Sequence, residues 1–154
     1  MHDNSEQRYL VNRTYDEIRI GDSSSLVRTL MPEDVKLFAV LTGDFNPGLA
    51  DPSVSESGLF REVIAHGMWS GSLISTVLGT QFPGLGTILI DQSLHFARPV
   101  TIGDTITITV TAKQKFDHSK HVNFDCVCTN QEGLQVVRGT AEVLAATEKV
   151  SRLQ

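Results

Sequence analysis

Only two cysteines, Cys126 and Cys128, occur in the 154 residues. So small a number excludes a disulfide scaffold. At a spacing of two on a strand they share one face, where pairing with each other is strained. A C-x-C metal site needs further ligands, and none is nearby in sequence. Both therefore read as reduced core thiols suited to a reducing compartment. Also missing is any apolar run approaching the roughly 18–20 residues of a membrane span, and nothing has the pattern of a signal peptide. The expectation is a cytoplasmic protein with no membrane association. Aromatic residues make up 6% of the chain and the net charge is −5. No basic stripe with interleaved aromatics appears, which argues against nucleic acid. A few local cations could still hold an anionic small ligand.

What is present reads as one domain by length, large enough to bury a core without metal or disulfide staples. Residues 1–13 are polar and read as a flexible tail, 14–146 as the domain, and 147–154 as a tail or linker. "TYDEIRIGDSSSLVRTL" carries a Gly-Asp turn between two extended pieces, a hairpin or a bent strand. Pro32 opens a helix with Glu33 and Asp34 in its first turn. Val35, Phe38, Ala39 and Thr42 recur at helical spacing, and Gly43 ends it. "PSVSESGLF" suggests a short helix or turn. In "AHGMWSGSLISTVLGT" the residues Trp69, Leu73 and Val77 form a stripe with Ile74 and Leu78 alongside. No charge lies between Gly67 and Gly79, so this helix, about residues 67–79, is expected to be buried nearly all round. Gly71, Ser72 and Ser75 are small enough to admit another backbone.

Strands follow. Ile88, Ile90, Gln92, Leu94 and Phe96 are expected on one face. "TITITVTAK" alternates, with Ile106, Ile108 and Val110 inward and Thr105, Thr107, Thr109 and Thr111 outward. Val122, Phe124, Cys126 and Cys128 fall together, and "LQVVRGTAEVLAA" is a last long strand. One apolar helix followed by long antiparallel strands predicts an α+β domain with the sheet wrapped around the helix.

The ordered set "TGDFNP", "AHGMWSGSLIS" and "PGLGTILIDQSLHFARPVTIGDTITITV" resembles the MaoC-like dehydratases and (R)-specific enoyl-CoA hydratases. The likeness covers about residues 14–145. It implies a single hot-dog fold, hydration of a trans-2-enoyl-CoA, no metal, no cofactor beyond the CoA thioester substrate, and a homodimer or higher oligomer. Similarity to hydratase-type domains fused ahead of phosphate acyltransferases makes an acyltransferase a candidate fusion or partner.

Such hydration needs a base to activate water, an acid to protonate C2, and donors for the enolate oxygen. Carried over by position, the resemblance makes Asp44 the catalytic carboxylate, with Asn46 supporting its loop. Gly67 becomes the oxyanion N–H donor at a helix start, and Ser75 the residue that orients Asp44. Leu49, His66, Met68 and Trp69 are the candidate substrate-binding residues. The family's second acid–base group, a histidine in D-x-N-P-x-H, falls on Leu49, and no one-residue shift recovers it. His66 precedes Gly67, where the family commonly has His as well. His95 shares a strand face with Asp91 and Ser93, His118 and His121 sit in a polar turn, and His2 lies in the tail; none is placed as a substitute. Arg61, Arg98 and Lys113 are candidate CoA contacts or plain surface charges.

Each residue also has a plainer reading. Asp44 and Asn46 suit a turn after a helix, Gly67 a helix start, Ser75 a packing position and Trp69 the core. Three functions follow: a hydratase with an impaired dyad, a non-catalytic acyl-CoA-binding domain, and a thioesterase. The last ranks lowest because the central helix has no carboxylate.

Overall fold

The computed structural model describes residues 9–43 and 67–153, and every structural statement below concerns these. Strand β1 (Tyr9–Val11) leads to a short 3-10 turn (Tyr15–Glu17), strand β2 (Ser23–Thr29) and helix α1 (Pro32–Thr42). Helix α2 (Gly67–Thr80) precedes β3 (Ile88–Phe96), β4 (Thr105–Phe116), β5 (His121–Thr129), β6 (Gln135–Leu144) and β7 (Ser151–Leu153). Five strands form an antiparallel sheet in the order β2-β4-β5-β6-β3. Helix α2 packs on its inner face against β4, β3 and β2. This is the α+β arrangement expected.

The alternation in β4 sets that face. Ile106, Ile108, Val110 and Ala112 are fully buried while the threonines between them are not. Val122, Phe124, Cys126 and Cys128 of β5 bury beside them, and Trp69, Leu73, Ile74, Val77 and Leu78 of α2 close the core from above. Phe82 meets Phe124 edge-on at 5.5 Å between ring centroids, a favoured aromatic geometry. Gly139 of β6 lies opposite Leu94. A methyl there would fall 1.8 Å from the Ser93 carbonyl oxygen, so the β3–β6 ladder admits no side chain at that point.

Three expectations need correcting. The segment before β2 is not an extended arm of a hairpin. Thr14 and Glu17 form a capping box, in which the Glu17 carboxylate accepts from the Thr14 N–H and hydroxyl, both at 3.1 Å. That local closure coils the backbone. Buried Tyr15 then anchors the turn by donating its hydroxyl to Asp117 at 2.7 Å. Secondly, α2 is not buried all round. Met68 is 51% exposed, and Ser72 and Ser75 are exposed as well. Small hydroxyl residues tolerate water without carrying charge, so the lack of charge marked no particular face.

Thirdly, the β3 row is broken. The β3–β6 register shifts between Leu89 and Asp91, and the extra residue of a bulge reverses the facing of what precedes it. Leu89 pairs with Val143, Gln92 with Ala141, Leu94 with Gly139 and Phe96 with Val137. The inner row is therefore Leu89, Gln92, Leu94 and Phe96. Ile88 pairs with Leu144 on the other face, and Ile90 occupies the bulge.

The described parts of the two expected tails are paired with each other, Tyr9 with Leu153 and Val11 with Ser151. Buried Asn12 fastens the pair, donating to the Glu148 carbonyl at 2.9 Å and accepting from the Val150 N–H at 2.8 Å.

Both cysteines are free and buried. Burial pushes each thiol up to about 12 from 9.0. An unfolded chain releases these protons first, so their contribution to stability is complete below pH 9 and declines as pH rises above it. In a thiol-reagent titration at pH 8, the folded protein should label at neither cysteine and the denatured protein at both.

Candidate functional site

Helix α1 closes on Gly43, whose φ of +75° is the left-handed conformation that favours glycine at a helix end. Its N–H donates to the Ala39 carbonyl at 2.8 Å. Asp44 is the next residue and lies outside the described residues, as do Asn46, Leu49, Arg61 and His66. The described portion of the site is consequently the α2 side.

There the glycines place the helix. A methyl on Gly67 would sit 3.4 Å from Cδ1 of Phe96, and one on Gly71 would sit 2.7 Å from Cδ1 of Leu94. Residues four apart stack along one helix flank, and residues two apart share one strand face. Gly67 and Gly71 thus face Phe96 and Leu94; at Gly67 a methyl would make ordinary contact, whereas at Gly71 a side chain would have to displace Leu94. The Met68 thioether lies over Gly71 as well, 3.7–3.8 Å from the same added methyl.

Ser75 continues the Gly67–Gly71 flank one turn further. It is exposed, and among the described residues its hydroxyl meets no hydrogen-bond partner. Ser72 donates to the Trp69 carbonyl at 2.7 Å. Trp69 itself is 7% exposed and belongs to the core cluster.

Gln92 is the residue that pattern reading undervalued. Counted in an apolar row, it carries the inner face one step beyond Leu94, and its buried Nε2 has no hydrogen-bond partner. An amide at an inward position of an otherwise apolar row was the available signal.

Of the remaining expected residues, Arg98 donates to the Gln135 carbonyl at 3.1 Å, and Lys113 pairs with Asp125 at 3.4 Å. His95 and His118 are exposed. His121 opens β5 and is half-buried, with Nδ1 2.8 Å from the Glu142 carboxylate. It is a partnered strand residue, not part of a solvated turn. Among the described residues no three His, Cys, Asp or Glu side chains gather as a metal site, and no helix is long and apolar enough to cross a membrane.

Chemically, α2 presents a glycine in the first described turn of a helix, flanked by an aromatic ring and without a side chain of its own. Backbone N–H groups near a helix N-terminus favour negative charge. That is a setting for an oxyanion.

Residues 18–132 match the model of the MaoC-like domain. The chain is 42% identical over 135 residues to the (R)-specific enoyl-CoA hydratase of Rhodospirillum rubrum, covering 88% of this chain and 93% of that protein. It is 34% identical over 126 residues to the (R)-specific enoyl-CoA hydratase of Aeromonas caviae, covering 82% and 94% respectively. The unliganded R-hydratase structure from Pseudomonas aeruginosa superposes with a TM-score of 0.91 at 37% identity, covering 94% of this chain and 93% of that one. These neighbours have the hot-dog fold, which is the fold of this chain.

The two glycines should respond differently to substitution. Gly67→Ala meets only ordinary contact with Phe96 and should change unfolding free energy by less than about 1 kcal/mol. Gly71→Val must displace Leu94 and should cost about 1–3 kcal/mol, read by chemical denaturation.

Proposed function

The chain belongs to the MaoC-like dehydratase family, and from that premise we propose that it is a hydro-lyase of the (R)-specific enoyl-CoA hydratase type with an impaired acid–base pair. Its substrate would be a 2-enoyl- or 3-hydroxyacyl-CoA thioester. The observation that carries the reading is the 42% identity to an (R)-specific enoyl-CoA hydratase across nearly the whole of both chains.

In this reading the Asp44 carboxylate takes a proton from water as the water oxygen attacks C3. The double-bond electrons move toward the thioester oxygen, and the Gly67 N–H stabilises the enolate formed. Ser75 holds Asp44 in place and Asn46 supports its loop. Leu49, His66, Met68 and Trp69 are the side chains nearest the substrate in this assignment. The enolate then needs a proton at C2, which a histidine at position 49 would help manage and Leu49 cannot. Loss of one general acid–base group lowers rate by about 10²–10⁴, and in a coupled pair the loss approaches that of removing both. CoA is the substrate's carrier, and no other cofactor is invoked. The two reduced thiols suit a cytoplasmic setting.

Leu49 also favours a second reading, an acyl-CoA-binding domain that keeps the pocket and serves a partner enzyme such as an acyltransferase. Loss of enoyl-thioester absorbance with crotonyl-CoA separates the two. Slow hydration by the native chain, a gain of 10²-fold or so in Leu49→His, and loss in Asp44→Ala are the expected results. Fast native turnover that Leu49→His leaves unchanged would defeat the impaired-pair reading. Binding of crotonyl-CoA without turnover in either form would favour the second reading.

The free edge of β3 supports a homodimer. Ile88, Leu89 and Ile90 there are 55%, 39% and 49% exposed, and an apolar edge strand seeks a partner. Joining two copies along this edge lengthens the sheet. Light scattering should give a dimer or higher oligomer for the native chain and a smaller species for Leu89→Glu/Ile90→Glu; a native monomer would refute the assembly.

A further inference from the structure

We propose that the outer face of the sheet at the Phe96 end of β3 binds the nucleotide phosphate of the CoA carrier, through Arg138, Arg98 and His95. This rests on the thioester reading above and gives the carrier a seat that the site on α2 does not provide.

Charge is distributed unevenly along that face. His95 of β3 lies directly opposite Arg138 of β6, and both are exposed. Arg98 follows β3 immediately, and one of its N–H groups is tied to the Gln135 carbonyl at 3.1 Å. A guanidinium has five N–H donors, so four remain for a ligand while that bond limits the head group's travel. The acids stand elsewhere or are occupied. Asp91 and Glu142 oppose each other four residues further along each strand, and Glu142 is engaged by His121 at 2.8 Å. Asp125, which lines the same hollow as Arg138, is bridged by Lys113 at 3.4 Å. Arg138 and Arg98 thus keep their positive charge available.

The surface is also hollowed there. A shallow depression of about 430 Å³ is lined by His95, Arg138, Gln135, Ser93, Thr140 and Asp125 among others, within the size range of small-ligand sites. Gln135, Ser93 and Thr140 offer uncharged hydrogen-bonding groups beside the cations. Arg98 is tethered to Gln135, a residue of the hollow's lining, and a phosphate can accept paired N–H bonds from a guanidinium such as that of Arg138 or Arg98.

Position links this hollow to the chemistry. His95 and Phe96 are adjacent in β3 and point to opposite faces. The Phe96 ring borders Gly67 on the inner face, so the end of one strand separates the proposed oxyanion donor from the cationic hollow. A carrier arm that leaves a thioester at Gly67 and rounds this strand end arrives at Arg98 first and Arg138 next.

The test compares Kd values by calorimetry for CoA, 3′-dephospho-CoA and crotonyl-pantetheine, using the native chain, Arg138→Gln and Arg98→Gln/Arg138→Gln. The native chain should bind CoA about tenfold more tightly than 3′-dephospho-CoA, with affinity falling as salt rises. The double substitution should abolish that preference while leaving crotonyl-pantetheine affinity unchanged. Equal affinities of the native chain for CoA and 3′-dephospho-CoA would overturn the phosphate seat, and retained crotonyl-pantetheine binding would then leave the thioester reading standing. If neither CoA nor crotonyl-pantetheine binds, both fall. Unchanged CoA preference in the double variant, or loss of affinity only for a thioester on an acidic carrier protein, would also overturn the proposal.

Discussion

The seating of α2 on the sheet is the constraint on which the other features depend. Its buried stripe, Trp69, Leu73, Ile74, Val77 and Leu78, needs the inward row of β4 and β5 to exclude water. Its flank needs Gly71 to lie against Leu94 with no side chain between, with Gly67 beside Phe96 one turn earlier. The two demands act together. Apolar burial supplies most of the favourable free energy and has no direction, whereas the glycine contacts fix where along β3 the helix rests. They therefore fix where the first turn of α2 stands relative to the end of the sheet.

A site built on that frame separates into two halves with different physical support. The α2 half is held by close packing on a rigid element, which suits backbone donors that must not move as charge develops. The other half, beginning at Asp44, follows a helix that ends in a left-handed glycine. In the proposed reading Leu49 stands where the family motif has a histidine, which removes a proton-transfer group while leaving an apolar side chain. A leucine there would bear on the chemical step more directly than on binding, because it offers no proton to transfer. The same asymmetry makes a thioester-binding domain the natural alternative to an enzyme.

On the opposite face of the sheet, the polar outward rows are more than a solvated exterior. Pairing across β3, β6 and β5 sorts charge along the strands, so that Asp91 and Glu142 lie four residues from His95 and Arg138, while Asp125, beside Arg138, is bridged by Lys113. Register, and not composition, produces that sorting. A chain with a net charge of −5 can still place Arg98, Arg138 and His95 at one end of the sheet.

Periodicity was legible along the chain. Unbroken alternation in "TITITV" fixed which β4 residues face inward, and Pro32 with Gly43 bounded α1, because these signals act within a few residues of themselves. The ordered motifs likewise named the family and the candidate positions Asp44, Gly67 and Ser75. The facing of β3 was not legible there, since a bulge after Leu89 depends on how β6 pairs with it and reverses parity without a mark in composition. Tertiary structure decided it, and decided also that α2 has an open side, that Asn12 joins the two chain ends, and that Gln92 carries an unpartnered buried amide. Each of these depends on residues distant in sequence meeting in space, where pairing register and steric fit, and not local propensity, set the outcome.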